Sequence, residues 1–225
     1  MAVVANRRGA ATAVAILCSL VVLAWTACGI TTLPMLEPPI AGPPSNVGKT
    51  FEFDGADPAT VDRLLFEGYE LYYRFYVDTD YPTDLTSLSE LTGAGFMRLH
   101  QGGDTDGNIS KPLVAVPFEA RDDAHSVTIT ILFGQTPEEP WFSGSWGGGD
   151  TELRRGTTDQ WGIHELISDT GSFDAADFDV ADLFDPKLVT TGVRLLLYAL
   201  TYGRDFSVDV HSEAVFLGEI IINIP

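Results

Sequence analysis

The clearest regular pattern in the chain is an alternation of apolar and polar positions over residues 126–133. Side chains two positions apart lie on the same face of a strand, so this alternation predicts a half-buried β-strand. Its buried face carries Val127, Ile129, Ile131 and Phe133. Residues 68–76 alternate in the same way, and they predict a second half-buried strand with Glu70 and Arg74 on the side away from the core.

Two later segments predict strands of a different kind. Residues 193–202 are apolar on both faces, as a central strand buried on both sides should be. Residues 215–224 follow as the closing strand of the domain. Because strands of this type dominate and long helical patterns are few, we expect an all-β fold, a β-sandwich spanning residues 49–225.

Short helices and one irregular segment complete the predicted domain. Asp57 followed by proline predicts a short helix ending near Phe66, and Asp84 is the expected N-cap of another that ends near Leu91. Residues 134–190 are rich in glycine, aspartate and tryptophan, and we interpret them as a long irregular insertion.

Two pieces of the chain resemble a fibronectin type III domain. Residues 68–73, Gly-Tyr-Glu-Leu-Tyr-Tyr, resemble the third strand of that family. Residues 197–203, followed by residues 212–214, resemble its sixth strand, hairpin loop and last strand. The resemblance implies an immunoglobulin-like sandwich. Residues 77–192 separate the two pieces by far more than the family needs, which indicates a long insertion or a different sandwich.

The N-terminus has the pattern of a secretory signal peptide, residues 1–27. Arg7 and Arg8 precede an almost wholly apolar run over residues 10–25, and the small residue Ala27 stands directly before Cys28. A positive start, an apolar middle and a small residue at the cleavage site are the features of such a signal.

Residues 23–29, Leu-Ala-Trp-Thr-Ala-Cys-Gly, also resemble a bacterial lipobox. The resemblance implies cleavage before Cys28 and attachment of diacylglycerol to its thiol, although Trp25 stands where the family has an aliphatic residue. Two alternatives stay open. The uncharged run over residues 9–36 exceeds the ~20 residues that span a bilayer, so it is also a candidate uncleaved anchor. Cleavage without lipid is the second alternative.

Residues 28–48 are predicted to be an extended tether. Five of the 13 prolines of the chain fall here, and proline favours polyproline II. A lipobox, a tether and a sandwich in this order resemble uncharacterised lipoproteins of spirochaetes and similar diderm bacteria, a resemblance that implies no particular activity.

The charge of the chain excludes some partners. The 225 residues carry a formal net charge of −19. Removal of residues 1–27 takes away only the positive charges of Arg7 and Arg8, which leaves −21. Nucleic acid is therefore excluded as a partner, because phosphate binding needs clustered lysine and arginine. Of the two cysteines, Cys18 would be lost with the signal, so no disulfide is expected in the mature protein.

One turn is a candidate calcium site. Asp104, Asp106 and Asn108 carry side-chain oxygens at alternate positions, as in the start of a calcium loop. An EF-hand is excluded, because Ile109 and Ala115 occupy the positions that need glycine and glutamate. A looser calcium turn stays open beside the simpler interpretation, a polar turn without metal.

Two further groups are candidate ligand sites. Trp141, Trp146 and Trp161 lie among glycines, where exposed aromatic rings stack on sugars or on partner side chains. The competing interpretation is a small core beneath a long loop. Residues 174–185 hold a crowded set of carboxylates, either a cation or hydrolase site or simply a solvated loop. The set comprises Asp174, Asp177, Asp179, Asp182 and Asp185.

No complete catalytic motif is present in the sequence. Residues 143–147 lack the first glycine of a nucleophile elbow, and Ser168 stands where a zinc-protease helix starting at His164 needs its second histidine. We therefore expect a non-enzymatic, membrane-anchored lipoprotein of the cell envelope, held through lipid on Cys28, that binds an envelope protein or glycan or gives structural support. The alternatives are a carbohydrate-binding module that uses the three tryptophans and an envelope hydrolase with an unrecognised carboxylate site. No cofactor is expected apart from the candidate calcium.

Overall fold

The computed structural model describes residues 36–55, 57, 59, 61–76, 81–105, 107–124, 126–131, 142–146, 149–154 and 193–222. These residues belong to one compact unit, Met35–Pro225. Its strands and helices, in chain order, are β1 (Ile40–Ala41), β2 (Thr50–Asp54), β3 (Phe66–Tyr76), α1 (Leu88–Gly93), β4 (Met97–Arg98), β5 (His100–Gln101), β6 (Val114–Ala115), a 3₁₀ turn (Phe118–Ala120), β7 (Ser126–Ile131), β8 (Phe142–Trp146), β9 (Gly149–Arg154), β10 (Val193–Asp205), β11 (Val208–His211) and β12 (Val215–Ile222).

The strands form two antiparallel sheets. The first sheet has the order β1-β2-β7-β8-β9-β5, and the second has the order β11-β10-β3-β4, with β12 also paired to β10 and β6 to β3. β10 is the axis of the second sheet. On one side it pairs with β3 over most of its length, and on the other it pairs with β12 near its start and β11 near its end.

An apolar core lies between the two sheets, which confirms the predicted all-β sandwich. The first sheet contributes Phe51, Val127 and Ile129, and the second contributes Leu71 and Leu197. The alternation that predicted β7 therefore matches the burial of Val127 and Ile129. Val127 and Ile129 enter the core, whereas Ser126 is exposed and Thr128 and Thr130 are partly exposed.

β3 is buried on both faces, and the expectation of a half-buried strand is wrong. The segment over residues 81–96 covers part of its outer face, where Leu91 of α1 and Phe96 pack against Tyr72 and Tyr198. Glu70, predicted to lie on the open side, is only 1% exposed. The reason is that the charge of Glu70 is met by a partner from β4 rather than by water.

The helical predictions are corrected in their boundaries. α1 is capped by Ser87 rather than Asp84. The Ser87 side chain accepts a hydrogen bond from the backbone of Glu90 at 3.2 Å, and the Glu90 carboxylate accepts one from the Ser87 backbone at 3.1 Å. Residues 62–65 form a turn closed by N–H groups of Leu65 and Phe66 that donate to the Asp62 carbonyl. β3 therefore begins at Phe66, where a helix was expected to end.

The chain already packs against the sandwich at Leu36, the first described residue, which is thirteen positions before the predicted domain boundary at Lys49. Leu36 is 5% exposed and belongs to the core between the sheets. β1 pairs with β2, and Pro44 lies against Gly218 of β12, where an added Cβ would be 2.5 Å from the Pro44 ring. Residues 36–48 are thus a docked edge of the sandwich instead of a free tether. Residues 28–35 lie outside the described residues.

The predicted insertion over residues 134–190 contains regular structure. β8 and β9 lie within it, and they extend the first sheet beyond β7. The second sheet agrees with the fibronectin-like pattern in one respect. β3, β10 and β12 are neighbours, as the third, sixth and last strands are in immunoglobulin-type sandwiches. The six-stranded first sheet is larger than in that pattern, so the fibronectin resemblance stays a prediction.

Candidate functional site

Most of the predicted site residues fall outside the described residues. This holds for Cys28, Trp141 and Trp161, and for Asp106 and the carboxylates of residues 174–185. Trp146 ends β8 and is paired with Gly149 of β9. The glycan and hydrolase alternatives therefore stay predictions.

Asp104, the first residue of the candidate calcium turn, is buried and engaged by the loop itself. Its Oδ1 accepts hydrogen bonds from the Ser110 backbone at 3.0 Å and the Ser110 hydroxyl at 2.7 Å, and its Oδ2 accepts one from the Gln101 backbone at 3.1 Å. Burial raises the pKa of Asp104, but these hydrogen bonds and nearby His100 outweigh it and hold the pKa below its ordinary value. Asp104 acts as the centre of the loop over residues 101–110.

The rest of the calcium turn is formed by the backbone. The N–H groups of Thr105 and Asn108 donate to each other's carbonyl oxygens at 3.2 and 2.9 Å. Within the described part of the chain, no three histidine, cysteine, aspartate or glutamate side chains gather as a metal site. The calcium hypothesis for Asp104, Asp106 and Asn108 stays a prediction.

The outer face of the second sheet carries a group of charged side chains that the sequence did not reveal. We call it the polar cluster, and at its centre Glu70 of β3 is paired with Arg98 of β4. Arg98 Nη2 donates to Glu70 Oε1 at 3.0 Å, and Arg98 Nε donates to Glu70 Oε2. Arg98 Nη2 also donates to the Ser110 carbonyl. The other members of the polar cluster are Lys111, Tyr202, Arg204, Asp209 and His211.

The outer part of the polar cluster joins the loop over residues 102–113 to the hairpin of β10 and β11. Lys111 Nζ donates to Asp209 Oδ2 at 2.8 Å, and the Tyr202 hydroxyl donates to Asp209 Oδ1 at 2.7 Å. Arg204 Nη2 donates to the Tyr202 hydroxyl at 2.9 Å. His211 stands across from Tyr202 in the ladder, with ring centroids 5.3 Å apart.

The ionisation of these groups follows from burial and pairing. Burial raises the pKa of Glu70, and the hydrogen bonds and charge of Arg98 oppose that rise. The hydrogen bond from Lys111, helped by the one from Tyr202, lowers the pKa of Asp209 to about 2. Burial lowers the pKa of His211, and the positive charges of Lys111 and Arg98 add to this while Asp209 opposes it.

The polar cluster fastens the loop over residues 102–113 onto the sheet. Its acids are paired with basic groups of the same chain. Among its described side-chain atoms, Arg98 Nη1 alone is buried without a hydrogen-bond partner. Burying a charge is costly unless it is paired, so the pairing itself accounts for the buried residues Glu70 and Arg98. The signal in the sequence was Glu70 itself, a lone carboxylate amid large aromatic residues, whose partner is 28 positions away.

A second surface lies where β10 turns into β11, and we call it the hairpin end. It comprises the exposed apolar residues Leu64, Phe206 and Val208. Phe206 is 97% exposed at the turn, and Leu64 is 79% exposed. Leu64 lies beside the second sheet at the same end, because the carbonyl of its neighbour Leu65 accepts a hydrogen bond from the Arg204 backbone at 2.9 Å.

Comparison with protein-family models, curated proteins and solved structures finds no match for this chain. The class of this protein is defined by its two antiparallel sheets, which make it a mainly β protein with a sandwich-like fold. In the residues that the structure describes, no helix combines the length and apolar character needed to cross a membrane.

Proposed function

We propose that this protein is an exported lipoprotein of the cell envelope, anchored in a membrane by lipid on Cys28. The observation that carries the proposal is the order of features at the N-terminus. A positively charged start, an apolar run and the Ala27-Cys28 pair precede Leu36, the first described residue of the sandwich core, by only eight positions. A lipidated Cys28 would therefore hold the domain close to the bilayer surface.

The domain itself acts as a binding or structural module without catalysis. The polar cluster supports this role, because the carboxylates of Glu70 and Asp209 form ion pairs with Arg98 and Lys111. The Ser110 hydroxyl donates a hydrogen bond to Asp104, whose lowered pKa makes it a weak base. An envelope protein or a glycan is the expected ligand class.

Fatty-acid incorporation in a diderm bacterial host tests the anchor. Cells that express the full chain are fed a labelled fatty acid, and the protein is isolated from wild type, Cys28→Ser and the matched control Cys18→Ser. We expect label in the wild type and in Cys18→Ser, and none in Cys28→Ser. Equal labelling of Cys28→Ser, or an unlabelled wild type, contradicts the proposal.

A further inference from the structure

The chain joins the sandwich at the hairpin end. The Glu37 carbonyl accepts a hydrogen bond from the Thr201 hydroxyl at 2.6 Å. One residue earlier, Leu36 Cδ1 lies beside Gly203, 3.0 Å from where a Cβ would stand. Traced backwards from residue 37 to 36, the chain therefore runs along β10 from residue 201 toward 203, in the direction of the turn at Phe206.

The segment between this point and Cys28 is short. Eight residues span at most about 3.3–3.6 Å each, so Cys28 lies within about 30 Å of Leu36. β10 has 13 residues, which at ~3.3 Å each gives a strand of about 40 Å. Because Leu36 lies beside Gly203, a lipid on Cys28 keeps residues 203–206 within about 30 Å of the membrane, whereas the end of β10 that carries Val193 can lie about 33 Å farther away.

The surface presented at that end combines exposed apolar side chains with charged groups of both signs, since Asp205 directly precedes Phe206. Phe206 is almost fully exposed and Leu64 largely so, and large apolar side chains gain from burial in a partner or lipid phase. Arg63 and Arg121 lie close by, since the Arg63 carbonyl accepts a hydrogen bond from Arg121 Nη1 at 3.2 Å. Arg63 is also paired with Asp122, so the surface has mixed charge and does not select anionic lipid.

We propose that the hairpin end is a membrane-docking surface, with Phe206, Leu64 and Val208 resting in the headgroup region of the bilayer that holds the lipid of Cys28. This inference rests on the proposed function, because the anchor supplies the nearness to the membrane. Docking fixes the orientation of the sandwich, and it turns the opposite end of the second sheet, near Val193 and Ile221, toward partners in solution.

Spin-label accessibility on the lipidated full chain tests this orientation. Once Cys28 carries lipid, a cysteine introduced by Ser207→Cys beside Phe206 is the one free thiol of the mature sequence. The matched site is Val47→Cys. Val47 is 99% exposed and lies at the other end of β10, because Asn46 accepts a hydrogen bond from the Ile221 backbone and Ile221 is paired with Arg194.

Both proteins are reconstituted in phosphatidylcholine vesicles, and the mass of the N-terminal peptide is recorded in the same sample. We expect the nitroxide at 207 to be several-fold less accessible to a water-soluble nickel chelate than the nitroxide at 47. Equal access at the two sites, with lipid present on Cys28, overturns docking and leaves the anchor intact. Lipid missing from Cys28 overturns the proposed function and docking together.

A second set of variants asks whether the apolar side chains cause the docking. In the Ser207→Cys chain, the pair Leu64→Ser and Phe206→Ser should raise nickel access at 207 to the level seen at 47. Val47→Ser in the same background should leave it unchanged. Protection that survives the loss of both apolar side chains overturns the inference. Because these side chains are exposed, the melting temperature should stay constant and report an intact fold.

Discussion

The polar cluster and the hairpin end lie on the same sheet, but only the side chains of the polar cluster find their partners within the described part of the chain. In the polar cluster, Glu70 is removed from water and meets Arg98, a residue of the same chain. At the hairpin end, Phe206 and Leu64 stay in water although their side chains gain from leaving it. Pairing within the fold accounts for the polar cluster, whereas the described residues leave the hairpin end uncovered, and we propose a bilayer as its partner.

The largest effect is expected from breaking the central ion pair of the polar cluster. Glu70→Gln leaves the buried charge of Arg98 uncompensated, which should lower the free energy of unfolding by about 3–5 kcal/mol. Urea unfolding of the mature chain with Cys28→Ser measures it. Adding Arg98→Met should recover much of the loss, because the uncompensated charge is then removed and only the neutral amide of the glutamine stays buried. A loss below about 1 kcal/mol for Glu70→Gln would mean that the pair is not truly buried.

Leu36 and Leu64 lie near the same end of β10 but should differ sharply in their contribution to stability. Leu36 fills the core where the chain joins the sandwich, so Leu36→Ala should cost about 2–4 kcal/mol in unfolding free energy. Leu64→Ala is the matched control at an exposed site and should change stability by no more than about 0.5 kcal/mol. Denaturant titration of both variants decides the point. Similar costs would place residues 36–48 outside the fold or Leu64 inside it.

The titration of His211 should contribute to the pH dependence of the unfolding free energy. Burial favours its neutral form, so its pKa in the folded protein lies below the ordinary 6.5. The unfolded chain then binds more protons than the folded chain between these two pKa values, and stability falls as the pH drops below 6.5. His211→Gln removes this contribution and should flatten the curve between pH 6.5 and the lowered pKa. Parallel thermal unfolding curves for both proteins across this range would contradict the burial of His211.

The smallest effect is expected at the edge of the polar cluster. Lys111 and Asp209 are both well exposed to solvent, and surface pairs of this kind contribute about 0.2–1 kcal/mol. Lys111→Ala should therefore lower the unfolding free energy by less than about 1 kcal/mol, and added salt should narrow the gap to the wild type. A cost as large as that of Glu70→Gln would show that the outer pair, too, is shielded from water.

The sandwich was predictable where burial leaves a periodic record along the chain. Val127 and Ile129 alternate with polar residues because β7 has one covered face, and residues 195–200 are apolar throughout because β10 is covered on both. The same reasoning failed for β3, because it predicted that Glu70 faces solvent. A carboxylate in an alternating strand indicates solvent unless its partner is known, and Arg98 reaches it only through the register of β4 on β3.

Local sequence patterns also gave no sign that residues 36–48 pack against the sandwich. Prolines predict an extended chain, and β1 is extended, but extension does not say whether a chain is free or packed. The fit of Pro44 against Gly218 depends on a bulged strand about 170 residues later, where Gly218 has φ of +117°. The hairpin end was missed for a similar reason. Phe206 follows an apolar strand in sequence, and only the turn shows that its ring lies in water.

The mass of the N-terminal peptide from membrane-extracted protein tests the central claim, a lipid-anchored domain, most directly. The account predicts a peptide that starts at Cys28 and carries diacylglycerol on its thiol, and it predicts the loss of that species in Cys28→Ser. A peptide that starts at Met1 or Ala2 would instead identify a retained leader, and a cleaved peptide with an unmodified Cys28 would identify a domain released without lipid. Either result would contradict the lipid anchor, and the second would also remove the reason for the hairpin end to face a bilayer.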